Sequence, residues 1–192
     1  MTASHPNQSD CATIYSIGHG NRSAAEFLEI LTASGITCVA DVRAYPGSRR
    51  HPQFARKNLA VLLERAGISY CWLGKALGGF RQASPNTIHA ALAKDSWRAY
   101  ADYMNSSAFR TGVDQLLGCA ASSPVAMLCA ERLPQHCHRA MIADYLATNG
   151  ILVIHILSEE QRIKHSCSPC ARWEGGRIIY DKPDRQQLEW MF

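Results

Sequence analysis

Apolar residues gather in short unbroken runs, and the stretches between them carry helical spacing. Thr13-Ile-Tyr-Ser-Ile17, Ile36-Thr-Cys-Val-Ala40, Ile68-Ser-Tyr-Cys-Trp-Leu73, Val125-Ala-Met-Leu-Cys129 and Ile151-Leu-Val-Ile-His-Ile156 each read as a strand. Ser23-Ala-Ala-Glu26 is a capping box that opens a helix through Leu31, with Phe27, Ile30 and Leu31 facing inward. Spacing predicts further helices over 56–66, 97–104, 109–117 and 137–146, the last with Met141, Ile142, Tyr145 and Leu146 on one stripe. Strands apolar along their whole length and alternating with helices predict an α/β fold. It is a single Rossmann-like domain over 13–192, with a mainly parallel sheet and helices on both faces. Residues 1–12 read as a polar, disordered tail, and the segment from about 158 as irregular, with a hairpin turn at Gly175-Gly176.

Parallel sheets bind ligands outside the carboxyl ends of their strands, and the reactive residues cluster there. Gly18-His19 follows the first strand, and Asp41 and Arg43 follow the second, two apart and so on one face. Gly74-Lys75 follows the third, and Cys129 and Glu131 close the fourth with the same spacing. His136-Cys137-His138-Arg139 then opens a helix, whose free N–H groups and dipole favour anions and lower a thiol pKa.

Composition narrows the classes. The chain of 192 residues is 47% hydrophobic, enough for a full core, and its net charge of +4 admits an anion pocket without demanding nucleic acid. Neither an apolar leader nor a membrane-spanning run is evident, so no membrane partner is expected. Eight cysteines in such a chain are expected as cytoplasmic thiols rather than disulfides.

The loop after the second strand carries Arg43, Ser48, Arg49, Arg50, His51, Arg56 and Lys57 with no acid from 42 to 63, which suits phosphate or carboxylate oxygens. Asp41 either orients Arg43 or acts as a base. His19, between two glycines, can approach a ligand closely. Glu131 is the candidate acid/base or nucleophile, and Cys137, flanked by His136 and His138, the alternative nucleophile. The spacing Cys-x5-Arg is missing after both Cys129 and Cys137, which disfavours cysteine-phosphatase chemistry. Cys167-Ser-Pro-Cys170 is half of a zinc ribbon and reads as an unligated surface pair, so no metal is expected. A P-loop and a G-x-G-x-x-G fingerprint are missing too, and no cofactor is indicated.

With these residues assembled, the chain resembles the bacterial and archaeal domain-of-unknown-function 488 family. Ser16-Ile-Gly-His19, Asp41-Val-Arg43, Ser48-Arg-Arg50, Leu77-Gly-Gly79, Tyr100-Ala-Asp-Tyr-Met104, Cys129-Ala-Glu131, Cys137-His-Arg139 and His155-Ile156 carry the resemblance. It implies a Rossmann-like α/β domain with a polar pocket and supplies no reaction.

The first expectation is an enzyme performing hydrolysis or group transfer on a phosphate-bearing substrate, such as a nucleotide or nucleic-acid end. Its catalytic residues would be Glu131, Cys137 and Asp41, and His19, Arg43, Ser48, Arg49, Cys129, His138 and Arg139 would bind substrate. The alternatives are a non-catalytic nucleotide- or nucleic-acid-binding module, and a thiol redox or metal-handling protein using Cys129, Cys137, Cys167 and Cys170.

Overall fold

The computed structural model describes residues 13–47, 50–82 and 84–181. Ser48, Arg49 and the expected tail over 1–12 lie outside them. Strands are β1 (Thr13–Gly18), β2 (Cys38–Asp41), β3 (Ser69–Trp72), β4 (Val125–Cys129), β5 (Leu152–Ile156), β6 (Arg162–Lys164), β7 (Ala171–Glu174) and β8 (Arg177–Tyr180). Helices are α1 (Ala24–Ala33), α2 (Arg56–Arg65), α3 (Gly74–Leu77), α4 (Asp95–Tyr103), α5 (Ser107–Ser122) and α6 (Arg139–Thr148).

Six strands form one sheet in the order β3-β2-β4-β1-β5-β6. The first five run parallel, and β6 adds an antiparallel edge to β5. The protein is an α/β fold. Alternate strand residues face opposite layers. Ile14, Cys38, Ala40, Val125 and Met127 pack with residues of α4, α5 and α6, whereas Ile17, Val39, Ala126 and Leu128 pack with residues of α1 and α2. Burial of both faces explains why these strands are unbroken apolar runs.

β4 lies between β1 and β2, so the chain leaves β1 through α1 toward one edge and leaves β4 through α6 toward the other. The helices that follow these two adjacent strands therefore sit on opposite faces, and their carboxyl ends border the crevice expected of such a switch point. No helix among the described residues is long and apolar enough to cross a membrane.

Three elements differ from the sequence expectation. The helix predicted from 137 begins at Arg139, because a 3-10 turn, Pro134–His136, precedes it and Cys137 is extended at φ −136 and ψ 141. α3, only four residues long, follows β3 at Gly74-Lys75, where the sequence reading placed no element. In the segment read as irregular, β6 joins the sheet, whereas the hairpin turn expected at Gly175-Gly176 is present, with β7 and β8 paired across it and both glycines at positive φ.

A buried polar chain fastens this last segment to the sheet. Ser16 Oγ lies 2.9 Å from His155 Nδ1, His155 Nε2 lies 2.9 Å from His165 Nδ1, and His165 Nε2 lies 2.9 Å from the Asp144 carboxylate. The same carboxylate accepts the Ser168 N–H and the Tyr180 hydroxyl. Burial, then the charges of His165 and Arg139, lower the His155 pKa from 6.5 to about 3. Unfolded, His155 titrates near its ordinary value, so between pH 6.5 and about 3 the unfolded chain binds one proton more. Stability present above pH 6.5 is therefore lost as the pH falls through that window. Urea denaturation at pH 7.5 and pH 5 should show a loss that is smaller by about 2 kcal/mol in His155→Gln. An equal loss in both proteins would remove His155 as its source.

Candidate active pocket at the carboxyl end of the sheet

β2 and β4 end side by side, with Asp41 opposite Leu128 in register. Past β2 the chain places Arg43 at the crevice, and past β4 it places Cys129 and Glu131 there. The turn into α6 adds His136, Cys137 and His138. These residues line a cavity of about 320 Å³.

Arg43 is buried and fixed by its surroundings. Its Nε and Nη2 donate to Asp41 at 2.9 and 2.6 Å, and Nη1 donates to the Phe54 carbonyl at 2.9 Å. A guanidinium has five N–H donors, so two remain for a ligand. Asp41 also accepts the Arg43 backbone N–H and the Tyr70 hydroxyl, and it is fully buried. With three of its four bonds on Arg43, Asp41 has the geometry of an orienting group.

The thiols and His138 form the floor. His138 Nε2 donates to the Val42 carbonyl at 3.2 Å, which leaves Nδ1 facing the sulfurs. Nδ1 lies 3.7 Å from Cys137 Sγ and 3.9 Å from Cys129 Sγ. Tyr100 packs edge-on against the ring at 5.1 Å while donating to the Leu77 carbonyl, and Gly79 lies against the ring's other atoms. A Cβ at Gly79 would stand 2.8 Å from Nδ1, so only glycine lets this loop approach. Burial pushes the Cys137 thiol up, but the Cys129 hydrogen bond, the Arg139 charge and the Arg139 backbone N–H outweigh it and bring the pKa down to about 7. Cys129 is held above the usual thiol range by its hydrogen bond to Cys137 and by burial.

The rim is aromatic. Tyr45 and Phe80 are 78% and 75% exposed, with ring centroids 5.7 Å apart, and Trp97 lines the wall. Sequence reading missed this rim. Its available signal was two aromatic residues in polar, glycine-rich loops, Tyr45 before Pro46-Gly47 and Phe80 after Gly78-Gly79.

Two expected ligands of substrate stand elsewhere. Arg139 is buried outside the lining, and its guanidinium donates to the carbonyls of Glu131 and Arg132. It clamps the turn between β4 and α6. His19 also lies outside the lining, stacked on Phe54 at 4.4 Å with Nδ1 on the Gly20 carbonyl. Burial is the main cause that lowers its pKa to about 4. Arg56, from the basic loop, lies over the Trp72 ring at 4.3 Å.

The sequence profile of a family described as "Domain of unknown function DUF488" matches residues 23–146, which is well over half of the chain. The chain belongs to the DUF488 family. The DUF488 span runs from the N-cap of α1 into α6 and carries Asp41, Arg43, Cys129, Glu131, Cys137, His138 and Arg139. His19 precedes that span, and His155, His165, Cys167 and Cys170 follow it. No curated protein and no solved structure matches the chain.

Proposed function

We propose that this chain is an enzyme performing hydrolysis or group transfer on a small molecule that carries both a phosphate and a flat ring, as a nucleotide does. The observation that carries this reading is the cavity's lining, in which Arg43 and Glu131 stand with a thiol–imidazole floor of Cys129, Cys137 and His138 under an exposed aromatic rim. Arg43 has two N–H donors outside its bonds to Asp41 and Phe54, and these would serve the phosphate. Because Asp41 neutralises much of its charge, binding depends on those donors more than on a long-range field. Tyr45 and Phe80 give the ring a face to stack on. Glu131, exposed and lining the cavity, is the acid/base.

Calorimetric titration of a mononucleotide and its free nucleoside tests the reading. The mononucleotide should bind more tightly, and Tyr45→Ala or Phe80→Ala should weaken both by about 5- to 100-fold, as loss of base stacking does. Neither variant should change Tm, because both side chains are mostly in solvent. Glu131→Gln should bind as wild type does and turn over about 100- to 10,000-fold more slowly. Unchanged binding in both aromatic variants would overturn the reading. Full turnover by Glu131→Gln would remove Glu131 as the acid/base, and wild type that binds without turnover would leave a binding module, whose affinity would fall steeply with salt if several phosphates were neutralised.

A further inference from the structure

We propose that Cys129, Cys137 and His138 form a binding site for a zinc-class divalent ion, with its fourth coordination position open to the cavity. The role given to the ion rests on the functional reading above; the site itself is argued from its own geometry. The two sulfurs and Nδ1 all lie within 4.8 Å of one another. The two sulfur–nitrogen separations are 3.7 and 3.9 Å. Tetrahedral zinc, with Zn–S near 2.3 Å and Zn–N near 2.0 Å, has S···N edges of about 3.6 Å and an S···S edge of about 3.8 Å. Both sulfur–nitrogen separations match the tetrahedral edge to within about 0.3 Å, and the sulfurs lie within 4.8 Å of each other. A single Nδ1 lone pair nearly equidistant from two sulfurs suits such an ion better than a hydrogen bond to either.

The surroundings supply what a bound ion needs. The bond from Nε2 of His138 to the Val42 carbonyl fixes the tautomer that leaves Nδ1 unprotonated, the usual partner behind a ligating histidine. Two thiolates and a neutral imidazole cancel the charge of a divalent ion, so no net charge is buried. Two sulfurs and one nitrogen are also a donor set that favours zinc over calcium or magnesium.

Two other groups among the described residues have ligand atoms equally close, and neither fits as well. Cys38, Cys71 and Cys119 lie outside the cavity, with Cys71 and Cys119 already 3.6 Å apart in mutual contact. In Asp144, His165 and Cys167, the carboxylate already accepts three hydrogen bonds.

The open position decides between the two reaction classes of the functional reading in favour of hydrolysis. Water there gives one proton to Glu131, and its oxygen forms the new bond to the electrophilic atom of the substrate. The bond to the leaving group breaks, and Glu131 returns the proton to that group. One water is consumed, and no oxidant or reductant enters.

Anaerobic titration of the metal-free protein with cobalt(II) chloride is the test. Wild type should take up one ion with intense thiolate-to-cobalt bands in the near ultraviolet and tetrahedral bands in the visible. Cys137→Ser and His138→Gln should each weaken uptake by more than about 100-fold, beyond the 10- to 100-fold typical for losing a partner behind a ligand. Cys119→Ser and Cys167→Ser should titrate as wild type. Because a variant can fail to fold, zinc-edge X-ray absorption on wild type reads the same ligand set independently, with two sulfurs near 2.3 Å and lighter atoms near 2.0 Å. Absence of the cobalt bands, bands unchanged in Cys137→Ser and His138→Gln, or a three-sulfur zinc spectrum would each overturn the site. The mononucleotide titration is a separate readout. Cobalt bands without nucleotide binding sink the functional reading alone, and nucleotide binding without cobalt bands sinks the metal site alone.

Discussion

Gly18→Ala should destabilise the protein by about 3 kcal/mol or more and lower its Tm by roughly 6–12 °C. Gly18 ends β1 where the turn after β4 crosses it. A Cβ there would overlap the Glu131 carbonyl and stand 2.8 Å from an Arg139 guanidinium nitrogen. Neither neighbour is free to yield. The Glu131 carbonyl is held by Arg139, while the His19 and Gly20 N–H groups bind the carbonyls of Cys129 and Ala130 at 3.0 and 2.8 Å. Arg22 in turn donates to the Gly18 carbonyl. Relief of the overlap must therefore shift the segment that carries Glu131. Thermal unfolding followed by circular dichroism measures the effect, with Gly118→Ala as a control of opposite sign. Gly118 lies exposed within α5 with nothing near its missing Cβ, so alanine there should add about 0.5–1 kcal/mol. A Gly18→Ala protein that melts beside wild type would mean that β4 and its turn are not fixed as described.

Asp41→Ala should destabilise by about 3–5 kcal/mol, because it strands a buried guanidinium and the Tyr70 hydroxyl. Burial and the charge of Asp41 already push the Tyr70 phenol up, so Tyr70 remains a donor to the carboxylate. Adding Arg43→Met to Asp41→Ala should recover a good part of the loss, since the double variant leaves no unpaired charge. Equilibrium urea unfolding of wild type, both single variants and the double variant closes the cycle. An Asp41→Ala protein as stable as wild type but inactive would assign Asp41 to chemistry, as the sequence allowed.

The sheet was readable because both its faces are covered. Uninterrupted apolar runs such as Val125-Ala-Met-Leu-Cys129 have few other fates. β6 was not, since its three residues are all exposed and a single apolar side chain, Ile163, stands between Arg162 and Lys164. Arg43 and Glu131 could be placed at one edge because spacing by two preserves a strand's face. The direction of Arg139 could not, since it depends on where the Glu131 and Arg132 carbonyls lie once the turn after β4 is folded. His19 was ambiguous for a similar reason, as its stacking partner Phe54 belongs to a different loop. The pairing of Tyr45 with Phe80 arises only when β2 and β3 lie side by side.

The insertion of β4 between β1 and β2 also sets an order of events during synthesis. Among the described residues β1 pairs with β4 on one side and β5 on the other, so Ile14 must wait for Val125 and Val153 to emerge. At ribosomal speed that interval is on the order of 10 s, during which β2 and β3 are the only neighbouring strands able to join. Pairings so distant along the chain carry a high loop-closure cost and make for slow folding. The nascent chain therefore spends most of its synthesis with the apolar face of β1 uncovered, a natural target for a holding chaperone.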